Sequence, residues 1–300
     1  MPTPKQVKIV EVGPRDGLQN ETISLTLDDK VNFINQLVDC GLNYVEFGAF
    51  VSPKWVPQMA QSDAVYRGIR KDPAVTYGAL VPNLKGLTAA LDCGVKEIAV
   101  FTAASEKFSH KNTNCSIEES LRRIELITEA CRDEDVTIRG YISCVAGCPY
   151  QGSTDVNQVA EIAHRLRELG CYEVSLGDTI GVGTADQFST LIDTVAQKVP
   201  VDLLAVHCHD TYGQALTNIY AALKMGVATV DASVAGLGGC PYAKGASGNV
   251  STEDVVYLLH GMGISTGIDL EALIQCSQQI CQKLDRDNQS KVSLAKTASA

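Results

Sequence analysis

The 300-residue chain is 45% hydrophobic and 20% charged. It can bury a large core unaided, and its length admits one barrel or two ordinary domains. A formal net charge of -10 argues against nucleic acid or an anionic membrane as the main partner, but leaves room for an anionic small molecule in a cleft whose local field opposes the total.

The opening residues, Met1-Pro2-Thr3-Pro4-Lys5, lead within a few positions into an apolar strand pattern. No signal h-region or Arg/Ser-rich presequence precedes it, and no run of eighteen consecutive apolar residues follows. A cytoplasmic protein is the expectation, although a processed organellar form would read the same. Short β-branched runs then alternate with longer helical patterns, as parallel βα units do. Strands are predicted over Val7–Val12, Tyr44–Phe47, Thr76–Val81, Glu97–Phe101, Thr137–Ser143, Glu173–Leu176, Leu203–His207 and Thr229–Val234. Eight such strands, with starts roughly 20 to 40 residues apart, are what a closed (β/α)8 TIM barrel needs.

Helical stripes fill the intervals: Asp28 to Gly41, Ile117–Ala130 and Val156–Leu169. Val255–His260 and Leu270–Leu284 read as helices beyond the eighth strand, and the small, polar Ser290–Ala300 tail is expected to fray. The expected organisation is one catalytic domain over 1–300, with the barrel at roughly 7–260 and a C-terminal helical extension over 261–300. An open doubly wound sheet is the rival, but it announces itself by a Gly-rich turn after the first strand. Here that position reads Gly13-Pro14-Arg15-Asp16-Gly17.

The working residues of such barrels stand at the C-terminal ends of the strands. Strand one ends in Arg15-Asp16, strand two near Glu46, strand six at Asp178 and strand seven in His207-Cys208-His209-Asp210. His207 and His209 are the sharpest signal, because residues i and i+2 of a strand point to one face and two imidazoles there converge as metal ligation requires. His110, His164 and His260 lie in loop or helix patterns and read as structural. In a closed barrel strands one, seven and eight are neighbours, so Asp16 can reach the same axis and Asn249 can add a carbonyl oxygen. That mixed set suits Mg²⁺ or Mn²⁺; an Fe(II) oxygenase site is the lesser alternative.

Arg15 can clamp a carboxylate or a thioester oxygen on which enolate charge grows. Glu46 and Asp178 can each act as acid, base or support. The eleven cysteines form no CxxC pair, and Cys144 and Cys148 have no partner pair to complete a zinc site. Most read as small buried hydrophobes. Cys240 differs, for it sits in the glycine-rich stretch Gly236–Asn249, which reads as a mobile lid able to carry a thiol to the site.

With these residues in place, the chain resembles the 3-hydroxy-3-methylglutaryl-CoA lyase family from Val7 to about Val292. The matching stretches are Val10–Asn20 (VEVGPRDGLQN), Phe50–Met59 (FVSPKWVPQM), Ser175–Gly183 (SLGDTIGVG), Ala205–Gln214 (AVHCHDTYGQ) and Val234–Asn249 (VAGLGGCPYAKGASGN). The last two are long and specific. The resemblance implies a TIM-barrel metallolyase, a homodimer, that splits its acyl-CoA substrate into acetyl-CoA and acetoacetate. It implies a metal on Asp16, His207, His209 and, directly or through water, Asn249. Arg15 would take the thioester or enolate oxygen, Cys240 a proton-transfer role, and Glu46 support. A lyase for a longer 3-hydroxy-3-alkylglutaryl-CoA and a Claisen-type synthase of the wider group are the alternatives within enzymes. A catalytically silent scaffold would leave the convergence of these residues unexplained. Animal mitochondrial relatives carry a presequence and often a C-terminal cysteine with a peroxisomal-type tail; this chain shows neither and ends Ala298-Ser299-Ala300, and its first residues suggest a bacterial-type or processed form.

Overall fold

The computed structural model describes residues 3–238 and 248–298. Eight parallel strands close into a barrel in sequence order, the last pairing with the first. They are β1 (Lys8–Glu11), β2 (Tyr44–Ala49), β3 (Thr76–Leu80), β4 (Glu97–Ala103), β5 (Thr137–Ser143), β6 (Glu173–Asp178), β7 (Leu204–Cys208) and β8 (Thr229–Ala232). The predicted strands sit where the sequence places them, with ends differing by one or two residues. Among the surrounding helices, α1 (Leu27–Asp39) is opened by Thr26 and Asp29 in a reciprocal cap, α2 spans Ser62–Gly68 and α3 spans Leu84–Asp92. Then come α4 (Glu106–Thr113), α5 (Ile117–Ala130), α6 (Val156–Glu168), α7 (Ala185–Ala196) and α8 (Ala215–Lys224). No helix among the described residues is long and apolar enough to cross a membrane.

Strands β5, β6 and β8 carry two chemistries on their two faces. Ile138 and Ile142 of β5, Val174 and Leu176 of β6, and Val230 and Ala232 of β8 belong to the main hydrophobic core together with helix residues such as Ile34 and Leu121. The alternate positions carry Arg139 and Tyr141, Glu173 and Ser175, and Thr229 and Asp231. These bond to one another between strands that are not neighbours: Arg139 of β5 reaches Asp231 of β8 at 2.8 Å, and Tyr141 reaches Glu46 of β2 at 2.8 Å. Only the barrel interior lets such strands meet. The inside of this barrel is therefore a charged, hydrogen-bonded layer where branched apolar side chains usually dominate.

The C-terminal segment corrects one expectation. After α9 (Thr252–Gly261) and α10 (Leu270–Lys283), the described part of the tail forms a helix, α11 (Lys291–Thr297), where a frayed segment was expected. Ser290 is buried and caps α11, its hydroxyl donates to Asp254 Oδ1 at 2.8 Å, and the Val292 amide reaches the same oxygen at 2.9 Å. Composition alone made this segment look loose; the anchoring carboxylate lies 36 residues upstream.

Glu11, fully buried at the end of β1, joins the first and last βα loops. Its Oε1 accepts from the amides of Gly13 at 2.7 Å and Val234 at 3.0 Å, and its Oε2 accepts from the Thr252 hydroxyl at 2.6 Å. Burial outweighs these bonds and pushes the carboxyl up from 4.5 to about 7. The folded chain thus favours the protonated form, so the stabilisation is complete below about pH 4.5, falls as pH rises and is gone above about pH 7. Denaturant unfolding of wild type and Glu11→Gln at pH 5 and pH 8 checks this. The variant should lack a stability loss of roughly 3 kcal/mol that wild type suffers between the two; parallel pH profiles would show that Glu11 is ionised throughout.

Candidate metal centre and active site

β1 runs into a five-residue π-helical turn, Gly13–Gly17, in which the Val12 carbonyl accepts from the amides of Arg15 and Gly17, both at 3.1 Å. Single π turns of this kind recur at functional sites. Its closing glycine is dictated by crowding, since a Cβ on Gly17 would stand 2.7 Å from Ser233 Oγ and 2.8 Å from Leu237 Cβ. The turn aims two consecutive side chains at the open end of the barrel. Arg15 donates Nε to Glu46 Oε2 at 2.7 Å and pairs through Nη2 with the same oxygen at 2.6 Å; its Nη1 donates to Asp16 Oδ1 at 2.6 Å. Glu46 is fully buried, so the guanidinium is held from behind by one carboxylate and from the side by another.

His207 and His209 arrive from the end of β7, both buried, their ring centroids 5.2 Å apart. One ligand atom each from Asp16, His207 and His209 fall within 4.8 Å of one another, the spacing a single cation needs. Asn249, bridged to His209 along the backbone, donates Nδ2 to Asp16 Oδ2 at 2.9 Å and to the Leu237 carbonyl at 3.2 Å. The donor set fits a divalent ion. His209 Nδ1 is buried without a hydrogen-bond partner, and its pKa is pushed down to about 4 by burial and then by His207, so the ring is neutral at pH 7. Burial opposes ionisation of Asp16, but Arg15, then His207 and His209, outweigh it and hold the carboxylate at about 2. Burial also pushes His207 down, yet Asp231 and Asp16 prevail and keep it above the usual imidazole value.

Arg15, Asp16, His207 and His209 line one cavity of about 920 Å³. Lys111 and Arg123 bring positive charge to its walls, against the chain's net charge of -10. Asp178 has both oxygens turned to the loop after β6, accepting from Val182 N at 3.2 Å and Gly183 N at 2.8 Å, with its pKa raised by burial. That places it as a loop anchor.

Cys240 lies outside the described residues. Residues 239–247, on which the lid reading turns, lie outside them as well. Gly236 and Gly238 are buried with φ of +60 and +102, and a Cβ on Gly238 would meet Asn249 Nδ2 at 3.0 Å. The Gly248 amide donates to the Gly238 carbonyl at 3.1 Å. Left-handed backbone and close approach account for these two glycines.

Sequence reading looked only at strand ends and so missed the layer beneath them. Asp231 Oδ2 stands 3.3 Å from His207 Nδ1, Ser175 donates to that oxygen at 2.7 Å, and Tyr141 bridges Arg139 to Glu46. The overlooked signal was charge at alternate positions of strands that are otherwise apolar.

Fold and cluster together define a (β/α)8 enzyme of the metal-dependent kind. The family model described as HMGL-like matches residues 6–280, and the chain belongs to this family of divalent-metal-dependent lyases. It is 59% identical over 300 residues, all of both chains, to the 3-hydroxy-3-isohexenylglutaryl-CoA/hydroxy-methylglutaryl-CoA lyase of Pseudomonas aeruginosa. It is 56% identical over 292 residues, 97% of this chain and 90% of the other, to the mitochondrial hydroxymethylglutaryl-CoA lyase of Macaca fascicularis. The crystal structure of hydroxymethylglutaryl-CoA lyase from Pseudomonas aeruginosa superposes with a TM-score of 0.98 at 59% identity, covering all of both chains.

With Nδ1 unpartnered and Asp16 and His207 close by, the His209 ring is available to a cation. His209→Ala should stay folded and lose Mn²⁺ by more than the roughly 10- to 100-fold that removal of an outer partner costs. Metal analysis after gel filtration measures this, and full metal retention would remove His209 from the ligand set.

Proposed function

We propose that the chain cleaves 3-hydroxy-3-methylglutaryl-CoA into acetyl-CoA and acetoacetate, with Asp16, His207, His209 and Asn249 holding a divalent cation, Mg²⁺ or Mn²⁺. The observation that carries this reading is the convergence of Asp16 and the two imidazoles beside the Arg15 guanidinium in one cavity. Relatives 55–59% identical over nearly the whole chain, whose names carry the same activity, support it.

A divalent cation held by these side chains would supply Lewis-acid polarisation, making the substrate's hydroxyl proton easier to remove. Asp16 and His207 are the two side chains placed to accept that proton. The alkoxide electrons then close a ketone, giving acetoacetate, while the broken C–C bond leaves its electron pair on the thioester fragment as an enolate. Arg15 holds the enolate oxygen. Glu46 and Asp16 together keep its charge in place, raising its already high pKa further against burial. Cys240, which lies outside the described residues, returns a proton to the enolate carbon in this reading.

A second reading has one specific support. The Pseudomonas relative's name includes a 3-isohexenyl substrate, and apolar side chains including Val100, Phe101, Ile124 and Ile127 line the same cavity. Parallel turnover of the 3-methyl and 3-isohexenyl thioesters separates a methyl-specific enzyme from a broader one. A homodimer and a cytoplasmic setting belong to the same proposal, and light scattering tests the first.

A coupled assay should show acetoacetate formed, abolished by EDTA and restored by Mg²⁺ or Mn²⁺; activity indifferent to EDTA would sink the metal role. Cys240→Ser should bind metal and substrate as wild type does but turn over ~10²- to 10³-fold more slowly, as loss of one transition-state interaction commonly does. Full turnover in that variant would take Cys240 out of the chemistry.

A further inference from the structure

Arg139 has no water contact, lies in the middle of β5, and belongs to none of the groups assigned above. Its guanidinium nevertheless meets three partners. Nε donates to Glu173 Oε1 at 2.7 Å; Nη2 and Nη1 donate to the two oxygens of Asp231 at 2.8 and 3.3 Å; Nη1 also donates to the Tyr141 hydroxyl. Two chains of contacts start here. One runs through Asp231 to Nδ1 of His207, a 3.3 Å ion-pair contact outside hydrogen-bond geometry, with Ser175 bracing the same carboxylate. The other runs through the Tyr141 hydroxyl to Glu46 at 2.8 Å and from Glu46 to Arg15 at 2.6–2.7 Å.

We propose that Arg139 is the shared positioning residue of the active site, setting the orientation of a metal ligand through Asp231 and of the oxygen clamp through Tyr141 and Glu46. The inference rests on the metal reading given under Proposed function. With Nδ1 of His207 turned to Asp231, Nε2 is the nitrogen left to a cation, and ligating histidines are generally fixed by such an outer carboxylate. Asp231 cannot hold still alone, being a buried anion on a short side chain. The bidentate fork of Arg139 fixes its plane, which a point charge would not do. The same fork fixes the Tyr141 hydroxyl as a donor toward Glu46, because that oxygen accepts from Arg139 and has one hydrogen to give. One planar group thereby ties the two halves of the site to a common frame.

The two branches make separable predictions. Mn²⁺ affinity, measured by titration of the full chain, reports the His207 branch; kcat at saturating Mn²⁺ reports the Arg15 branch. Asp231→Asn should weaken Mn²⁺ binding about 10- to 100-fold. Tyr141→Phe should leave Mn²⁺ affinity within about threefold of wild type while kcat falls roughly tenfold or more, a small share of what transition-state contacts supply. Arg139→Lys, which keeps the charge and loses the fork, should move both readouts at once. A lysine variant that folds, melts lower and keeps both wild-type affinity and kcat would overturn the proposal as mere structural support. Should that variant not fold, the proposal still falls if Asp231→Asn binds Mn²⁺ like wild type or Tyr141→Phe turns over like wild type. If wild type itself binds no Mn²⁺, the metal reading fails first and this inference falls with it.

Discussion

A guanidinium buried away from all water is tolerated only when its charge is answered on every side, and that requirement governs the interior of this barrel. Arg139 is met by Glu173 and Asp231 as ion pairs and by Tyr141 as a hydrogen-bond acceptor. Glu173 in turn takes the ammonium of Lys8 and the hydroxyl of Thr229, both at 2.9 Å. Such a set contributes little net stability over an apolar filling, but removing one member leaves an uncompensated charge at a cost of roughly 3–5 kcal/mol. It specifies orientation more than it adds stability. The groups above it, His207 and Glu46, are oriented by members of that set.

Closure of the sheet supplies the second half of the geometry. β8 pairs with both β7 and β1, with His207 in register with Asp231 and Val10 in register with Asp231 from the other side. The loops that follow β1 and β8 must therefore lie side by side. Gly17 packs against Leu237, Gly238 against Asn249, and Asn249 reaches Asp16. Residues more than 230 positions apart in the chain are brought into hydrogen-bond contact by the strand order alone.

How much of this was legible follows from what each signal depends on. The eight strands and their alternation with helices were readable because β-branched runs and helical stripes are local patterns. The pair His207 and His209 was readable because i, i+2 spacing needs only a strand, and Arg15, Asp16 and Glu46 because a barrel concentrates chemistry at strand ends. Asp231, Arg139 and Tyr141 were not, for their meaning depends on which strands face each other across the barrel, a relation no local window contains. The tail failed for a related reason: Ser290 looks like a loop residue until Asp254 is seen beneath it. At Gly236 and Gly238 the backbone needs positive φ and meets close neighbours, a demand that composition does not reveal.

The adjacency of Arg15 and Asp16 has a physical reading of the same kind, since consecutive residues here form a partly buried ion pair at 2.6 Å. A guanidinium has five N–H donors. Glu46 and Asp16 engage three of them, at Nε, Nη2 and Nη1, and the Tyr141 ring lies 5.6 Å from its central carbon. The remaining two can face a ligand oxygen without the group having to reorient, so its side-chain entropy is already lost before substrate arrives. The price is that Arg15 and Asp16 draw on each other: the guanidinium holds Asp16 at about 2, so the carboxylate is ionised at any pH at which the imidazoles are neutral. An ionised carboxylate and a protonated guanidinium, the states the proposed roles require, are thus secured by one contact, and the π turn is what lets neighbours in sequence share it.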